Sequence, residues 1–373
     1  MIKKILVFSI LISFLLSYFL ASEVKNTDTP SKGEFTFKLQ EVWELKEAGP
    51  DIFADIRQVS VTEDDDTIYV YDGTNMKYFI FTSDGKFINA FGRKGEGPGE
   101  IKNIEQAPLF LGGDKVIIQD TGRLHYFDRK GKYLKSVVND ANLREPFFFL
   151  NENEFITAPR TKDEVSGGQA KIFKVDLKTG KTVDIFDFSV FKGAVVDQGN
   201  IRATVVTPSL TPMIIINHYK NRLYFGMNDA YKINITDMNG KVINTFGLTR
   251  KKGTVSEKVK VDVLIKEAKG RAPKEMLVYL AKQMPSELTC FSNIEVHNDL
   301  IYVYMSYYER KNSWQIDIFS QEGKYLYRSF IKMPEGIVID EIPVIHKEHI
   351  YLVLEDEEGE LSVVKCKIPL PKN

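Results

Sequence analysis

Cysteine and histidine are scarce in this chain, with two of the first and five of the second among 373 residues. Two thiols cannot build a disulfide scaffold, although an oxidising compartment would allow Cys290 and Cys366 to pair. The histidines show no H-x-H or H-E-x-x-H spacing and the cysteines no C-x-x-C, so the local signatures of a zinc centre are missing. No G-x-S-x-G elbow marks a hydrolytic nucleophile. An excess of one charge is also absent. Lys plus Arg number 50 against 51 for Asp plus Glu, a balance that argues against nucleic acid as partner.

What is present begins with an export signature. Lys3 and Lys4 precede an apolar run from Ile5 to Leu20, and Ala21 and Ser22 are small enough for cleavage. The run is shorter than the ~20 residues of a spanning helix. Residues 1–22 are therefore read as a signal peptide and 23–34 as a linker, and the product as periplasmic or secreted. A membrane enters only if the segment stays uncleaved.

Beyond it, apolar alternation closed by a short polar turn recurs six times. The copies are Val59–Val61 with Ile68–Tyr71, Leu109–Leu111 with Val116–Ile118, Phe147–Leu150 with Phe155–Ile156, Met213–Ile216 with Leu223–Phe225, Ile294–Val296 with Ile301–Val303, and Pro343–Ile345 with Ile350–Leu352. A second hairpin follows most copies and turns at a Gly-Lys pair: Gly85-Lys86, Gly131-Lys132, Gly180-Lys181, Gly240-Lys241 and Gly323-Lys324. Glycine there supplies a positive φ. Four antiparallel strands per unit result. The sixth unit lacks room for its fourth strand, and Phe35–Leu45 is a strand without a partner. The expectation is an all-β, six-bladed β-propeller over residues 35–373, closed by that amino-terminal strand, with a helical insertion at 248–289 between blades 4 and 5. A β-sandwich does not explain six hairpins with one strand missing.

The stretch GKFINAFGRKGEGPGEI, from Gly85, followed by KVIIQD up to Asp120, resembles the NHL-type repeat of six-bladed propellers. Asp72, Asn75 and Lys77 match the D-x-x-N-x-R continuation of that repeat with Lys for Arg, and Asp120 and Arg123 match it in part. The resemblance implies kinship with exported propellers of bacterial envelopes. Its glycine-rich loop is not a phosphate loop, because it lacks GK[ST] and leads into a strand and not a helix.

In a four-stranded meander the turns after first and third strands lie on one face, and those after second and fourth on the other. The first set is tight and the second holds every long segment, including Phe91–Ala107, Lys192–Pro212 and Leu248–Thr289. Binding function concentrates on such loops. From Leu248 to Glu275 nine basic residues stand against four acidic ones. Arg250, Lys251 and Lys252, with Arg93 and Lys94 expected at the same mouth, are the candidate collar for an anionic ligand. Asp72, Asn75, Lys77, Asp120 and Arg123 complete the candidate ligand-binding set. Ser256 should cap a helix from Glu257, and Pro273 should start a second that reaches Met284.

The reading is an exported, non-catalytic binding module for a protein or an anionic envelope ligand, with no catalytic residue and no cofactor assigned. The alternative is a hydrolase or lyase with calcium held in the channel by carboxylates such as Asp72, Asp120 and Asp229.

Overall fold

A computed structural model describes residues 22–368, apart from 65, 103–108, 121, 139–145, 159–168, 190–193, 199–200, 206–209, 269–271, 307–312 and 340. The export signal read at residues 1–22 lies outside these but for Ser22.

The chain folds as six antiparallel sheets, here blades 1 to 6. Blade 1 comprises Ile56–Val61, Ile68–Asp72, Lys77–Phe81 and Phe87–Phe91. Blade 2 runs from Leu109–Gly112 to Tyr133–Val138, blade 3 from Pro146–Asn151 to Lys181–Ser189, and blade 4 from Ile214–Tyr219 to Val242–Leu248. Blade 5 runs from Phe291–His297 to Tyr325–Lys332. Blade 6 contains Val344–His346, His349–Glu355 and Leu361–Lys367. All six expected first hairpins form, as in Val61 opposite Ile68 and Ile345 opposite Ile350.

First strands of successive blades lie side by side from blade 2 to blade 6, and that of blade 6 lies beside that of blade 1. The seam between blades 1 and 2 is bridged by Gln58, whose Nε2 donates to the Leu109 carbonyl at 2.6 Å while its Oε1 accepts the Leu109 N–H at 3.0 Å. Asn217 repeats the device from blade 4 to Ile294 O of blade 5 at 2.7 Å. From blade 5 to blade 6 the acceptor is Glu295, which takes the Ile345 N–H at 3.1 Å and the Tyr304 hydroxyl at 2.8 Å. Complete burial pushes the Glu295 carboxyl up to about 7. The six sheets are thus arranged as a β-propeller. Two helices lie between blades 4 and 5 in sequence, α1 (Glu257–Ala268) and α2 (Lys274–Gln283).

The Gly-Lys turns recur for two physical reasons. Their glycines take positive φ, near 81° at Gly85 and Gly131, 84° at Gly240 and 80° at Gly323. Three of them, Gly131, Gly240 and Gly323, also receive the outer strand of the preceding blade. Phe91 of blade 1 presses on Gly131, Phe246 of blade 4 on Gly323, and the Ile185 carbonyl of blade 3 on Gly240. At Gly85 the same place is taken by Trp43, whose indole N–H also donates to Ser83 O at 3.2 Å.

Trp43 comes from the amino-terminal segment, where two expectations need correction. Phe35–Leu45 is not one strand. Glu34–Thr36 runs parallel to Arg328–Phe330 on the edge of blade 5, and Gln40–Leu45 runs antiparallel to Val363–Lys367 on the edge of blade 6. Phe37, 4% exposed, is buried with Trp314 and Ile331 of blade 5, so the backbone leaves that edge only after it. The segment read as a linker is also partly paired, with Ser22–Asn26 running parallel to Asn244–Leu248. Each strand satisfies the open edge of an outer strand, which would otherwise expose a row of unpaired amides.

The helices match their signals. Ser256 Oγ accepts the Val259 N–H at 3.3 Å and Pro273 stands at the N-cap of α2. The apolar stripe of α2, Leu277, Leu280, Ala281 and Met284, packs with Leu210, Val255, Val261 and Leu264 into a core of its own. Among the described residues no helix is long and apolar enough to cross a membrane. Both thiols are free, with Cys366 buried and Cys290 half-buried, so the pairing left open by the sequence is not made.

Candidate functional site

After Leu248 the chain crosses toward blade 5, and Arg250, Lys251 and Gly253 become one wall of a cleft of about 490 Å³. The other walls are Ser313, Gln315, Arg328 and Phe330 from the two outer strands of blade 5, with Met305, Ser306 and Asp28 at its margins. A smaller cavity of about 70 Å³ continues from it toward Tyr231, Lys252, Thr289 and Cys290. The larger volume lies within the ~300–1,000 Å³ typical of small-molecule sites.

The floor is an ordered network. Asp317, its side chain 0% exposed, accepts the Tyr231 hydroxyl at 2.8 Å, the Tyr325 hydroxyl at 2.7 Å and Gln315 Nε2 at 3.1 Å. Arg250 Nη1 completes its shell at 2.8 Å. Arg250 Nε turns the other way and donates to Asp28 Oδ1 at 2.7 Å. Arg328 reaches the same carboxylate oxygen through Nη2 at 2.9 Å, and Glu34 through Nη1 at 2.7 Å. Two guanidinium groups therefore converge on Asp28, whose side chain is 46% exposed. Burial works against the charge on Arg250, but Asp317 and Asp28 outweigh it and hold its pKa above the usual arginine value. Burial, reinforced by Asp317, drives the Tyr231 and Tyr325 phenols well above theirs. Burial also pushes up the Asp229 carboxyl and the Cys290 thiol.

Of the residues singled out in the sequence, Arg250, Lys251 and Lys252 come together here, with Lys252 3.8 Å from Glu287. The cleft lies over the outer strands of blade 5, not at an axial mouth shared with Arg93 and Lys94. Arg93 pairs with Glu100 at 2.6 Å, and Lys94 bridges through its backbone to Ile101, both within the glycine-rich loop. Asp72 forms its own turn. Its oxygens accept the N–H groups of Ala54, Asp55, Thr74 and Asn75 and the Asn75 amide, while Lys77 pairs with Asp51. Asp120 is buried, accepting the Lys102 N–H at 2.6 Å with His125 Nε2 at 3.6 Å, and Arg123 is exposed beside it. These carboxylates are committed to protein donors. Of the nine basic residues from Leu248 to Glu275, Lys260 is buried at 5% exposure with its ammonium donating to Met284 O at 2.8 Å. Lys269 and Arg271 lie outside the described residues.

Sequence reasoning missed Asp28, Arg328 and Gln315. The one signal was an arginine and a glutamine inside otherwise apolar strands, in YLYRSF and WQIDIF. It also passed over a second grouping on the tight-turn side, where Glu63, His297 and His346 bring one potential ligand atom each within 4.8 Å of the others.

Six sheets with tight turns on one side and a polar cleft on the other define a β-propeller. The chain belongs to the DUF5128 family of six-bladed β-propellers, which matches residues 52–260. Among solved structures it is similar to a member of the DUF4221 family from Bacteroides vulgatus, with TM-score 0.53 and 10% identity over 91% of this chain and 99% of that one. It is also similar to a Bacteroides fragilis protein that bears the name of an exported protein, with TM-score 0.52 and 10% identity over 94% and 100%. Likeness at this identity concerns the fold alone. No curated protein matches the chain.

Proposed function

We propose that the chain is an exported, non-catalytic binding propeller, its ring closed by Gln40–Leu45, that receives an anionic ligand in the cleft over the outer strands of blade 5. The observation that carries this reading is the convergence of Arg250 and Arg328 on Asp28, with Lys251 on the adjoining wall. A planar guanidinium pair around one carboxylate is the arrangement that recognises carboxylate or phosphate. Here the group it holds is a partly exposed side chain from the amino-terminal segment. Asp28 acts as a tethered stand-in, and an acidic side chain of a partner protein or an anionic envelope polymer takes its place. The export signature at residues 1–22 and the resemblance of Gly85–Asp120 to NHL-type repeats of envelope propellers support the location.

Fluorescence anisotropy with a labelled oligo-glutamate peptide tests the reading. Asp28→Ala removes the internal competitor and tightens binding about tenfold, while Lys251→Ala weakens it about tenfold. Salt weakens both. Equal affinity in the three proteins, or no binding by any, overturns it.

A further inference from the structure

The tight-turn side carries a second site, drawn from the first turns of three neighbouring blades. His297 is the last residue of the first strand of blade 5, followed by a two-residue turn with positive φ at Asn298 and Asp299. His346 ends the first strand of blade 6 just before its own turn, with Lys347 at positive φ. Glu63 lies in the corresponding turn of blade 1, and the first strands of these three blades are neighbours. The fold therefore delivers two imidazoles and one carboxylate to the same end of adjacent inner strands.

The side chains are oriented as ligands. His346, 4% exposed, has Nε2 3.0 Å from Asp66 Oδ1, while Nδ1 faces Glu63 Oε1 at 3.8 Å. A carboxylate that accepts the distal N–H fixes the tautomer and leaves Nδ1 with a free lone pair, the usual support of a metal-binding histidine. Lys347 Nζ, 2.5 Å from Asp66, steadies that carboxylate. The His297 ring stands edge-on to His346 with centroids 6.2 Å apart, so the imidazoles approach a common point without stacking. The Glu63 side chain, 77% exposed, leaves that point open to solvent. By contrast His218, one residue before the end of the first strand of blade 4, stacks on Phe148 at 4.3 Å.

We propose that Glu63, His297 and His346 form a binding site for a divalent transition-metal ion of the zinc type, with Asp66 orienting His346 and one coordination position left to water. Two imidazole nitrogens and one carboxylate oxygen are a donor set that zinc takes in open, water-carrying sites.

The test uses tag-free, chelator-treated full chain dialysed against Zn2+ and assayed by elemental analysis, with Co2+ titration followed by visible absorption. One equivalent of zinc and cobalt bands of a four- or five-coordinate N/O site are expected. The exposed Glu63→Gln weakens zinc binding at least tenfold, Asp66→Asn weakens it 10- to 100-fold, and His297→Ala abolishes the bands. His346→Ala is avoided because the ring is buried. Uptake below one equivalent, or full uptake that Glu63→Gln and His297→Ala leave unchanged, overturns the assignment.

Discussion

The two faces of this propeller are built from opposite materials. On one, strands are joined by turns of a few residues, so the side chains at the ends of neighbouring first strands are held close to one another around the ring. On the other, the connections differ in length and in partners, and the cleft over blade 5 draws residues from the amino-terminal segment, the crossing at Arg250 and two strands of the blade. On the first face short turns of neighbouring blades generate a cluster by proximity. Irregularity on the second generates a pocket from long-range contacts, as in Asp28 with Arg328, 300 positions apart.

The sharpest way to break this contrast is Asp317→Ala. It leaves Arg250 without its buried partner and strands the Tyr231 and Tyr325 hydroxyls. Loss of one member of a buried pair costs about 3–5 kcal/mol, read as a fall in the urea midpoint. The amino-terminal strap should become protease-sensitive in the same variant, since Arg250 also holds Asp28.

A smaller effect separates two turns of the regular face. Gly240→Ala and Gly180→Ala both force a side chain into positive φ, at 84° and 68°. Each should lose upwards of about 1 kcal/mol on that account. A Cβ at Gly240 also strikes the Ile185 carbonyl of blade 3, whereas nothing lies within 4 Å of one at Gly180. Gly240→Ala should therefore unfold at clearly lower denaturant than Gly180→Ala. Equal midpoints would remove the blade-to-blade role given to this turn.

The smallest effect concerns pH. Burial beside Phe148 depresses the pKa of His218 below its ordinary value. Below about pH 6.5 the unfolded chain takes up a proton that the folded one resists. The contribution of this site is therefore present above about pH 6.5 and is lost as pH falls through the depressed folded value. His218→Gln should flatten the acid-side slope of stability, measured by urea unfolding at stepped pH, and an unchanged slope would count against it.

Much of the fold could be read from one dimension because its determinants are local. Two-residue alternation, polar turns and the Gly-Lys pairs specify hairpins without reference to distant residues, and Ser256 and Pro273 mark the helices in the same way. The strand Ser22–Asn26 and the separate pairing of Glu34–Thr36 with blade 5 escaped because both depend on an edge made by residues far along the chain. The collar was legible as charge but not as function, since whether Lys260 faces water or caps Met284 depends on how α1 and α2 pack. The cluster of Glu63, His297 and His346 was missed for another reason. Metal spacings are sought along one segment, and here the spacing runs across repeats.

The pairing of Gln40–Leu45 with Val363–Lys367 also orders events in time. Synthesis delivers the early strand hundreds of residues before its neighbour exists, so the sixth sheet stays incomplete until Lys367 has been made. During that interval the indole of Trp43 and the edge of blade 1 around Gly85 lack their final cover. A nascent chain in this state is open to strand exchange with another copy, and its sixth sheet is finished only when these two strands meet.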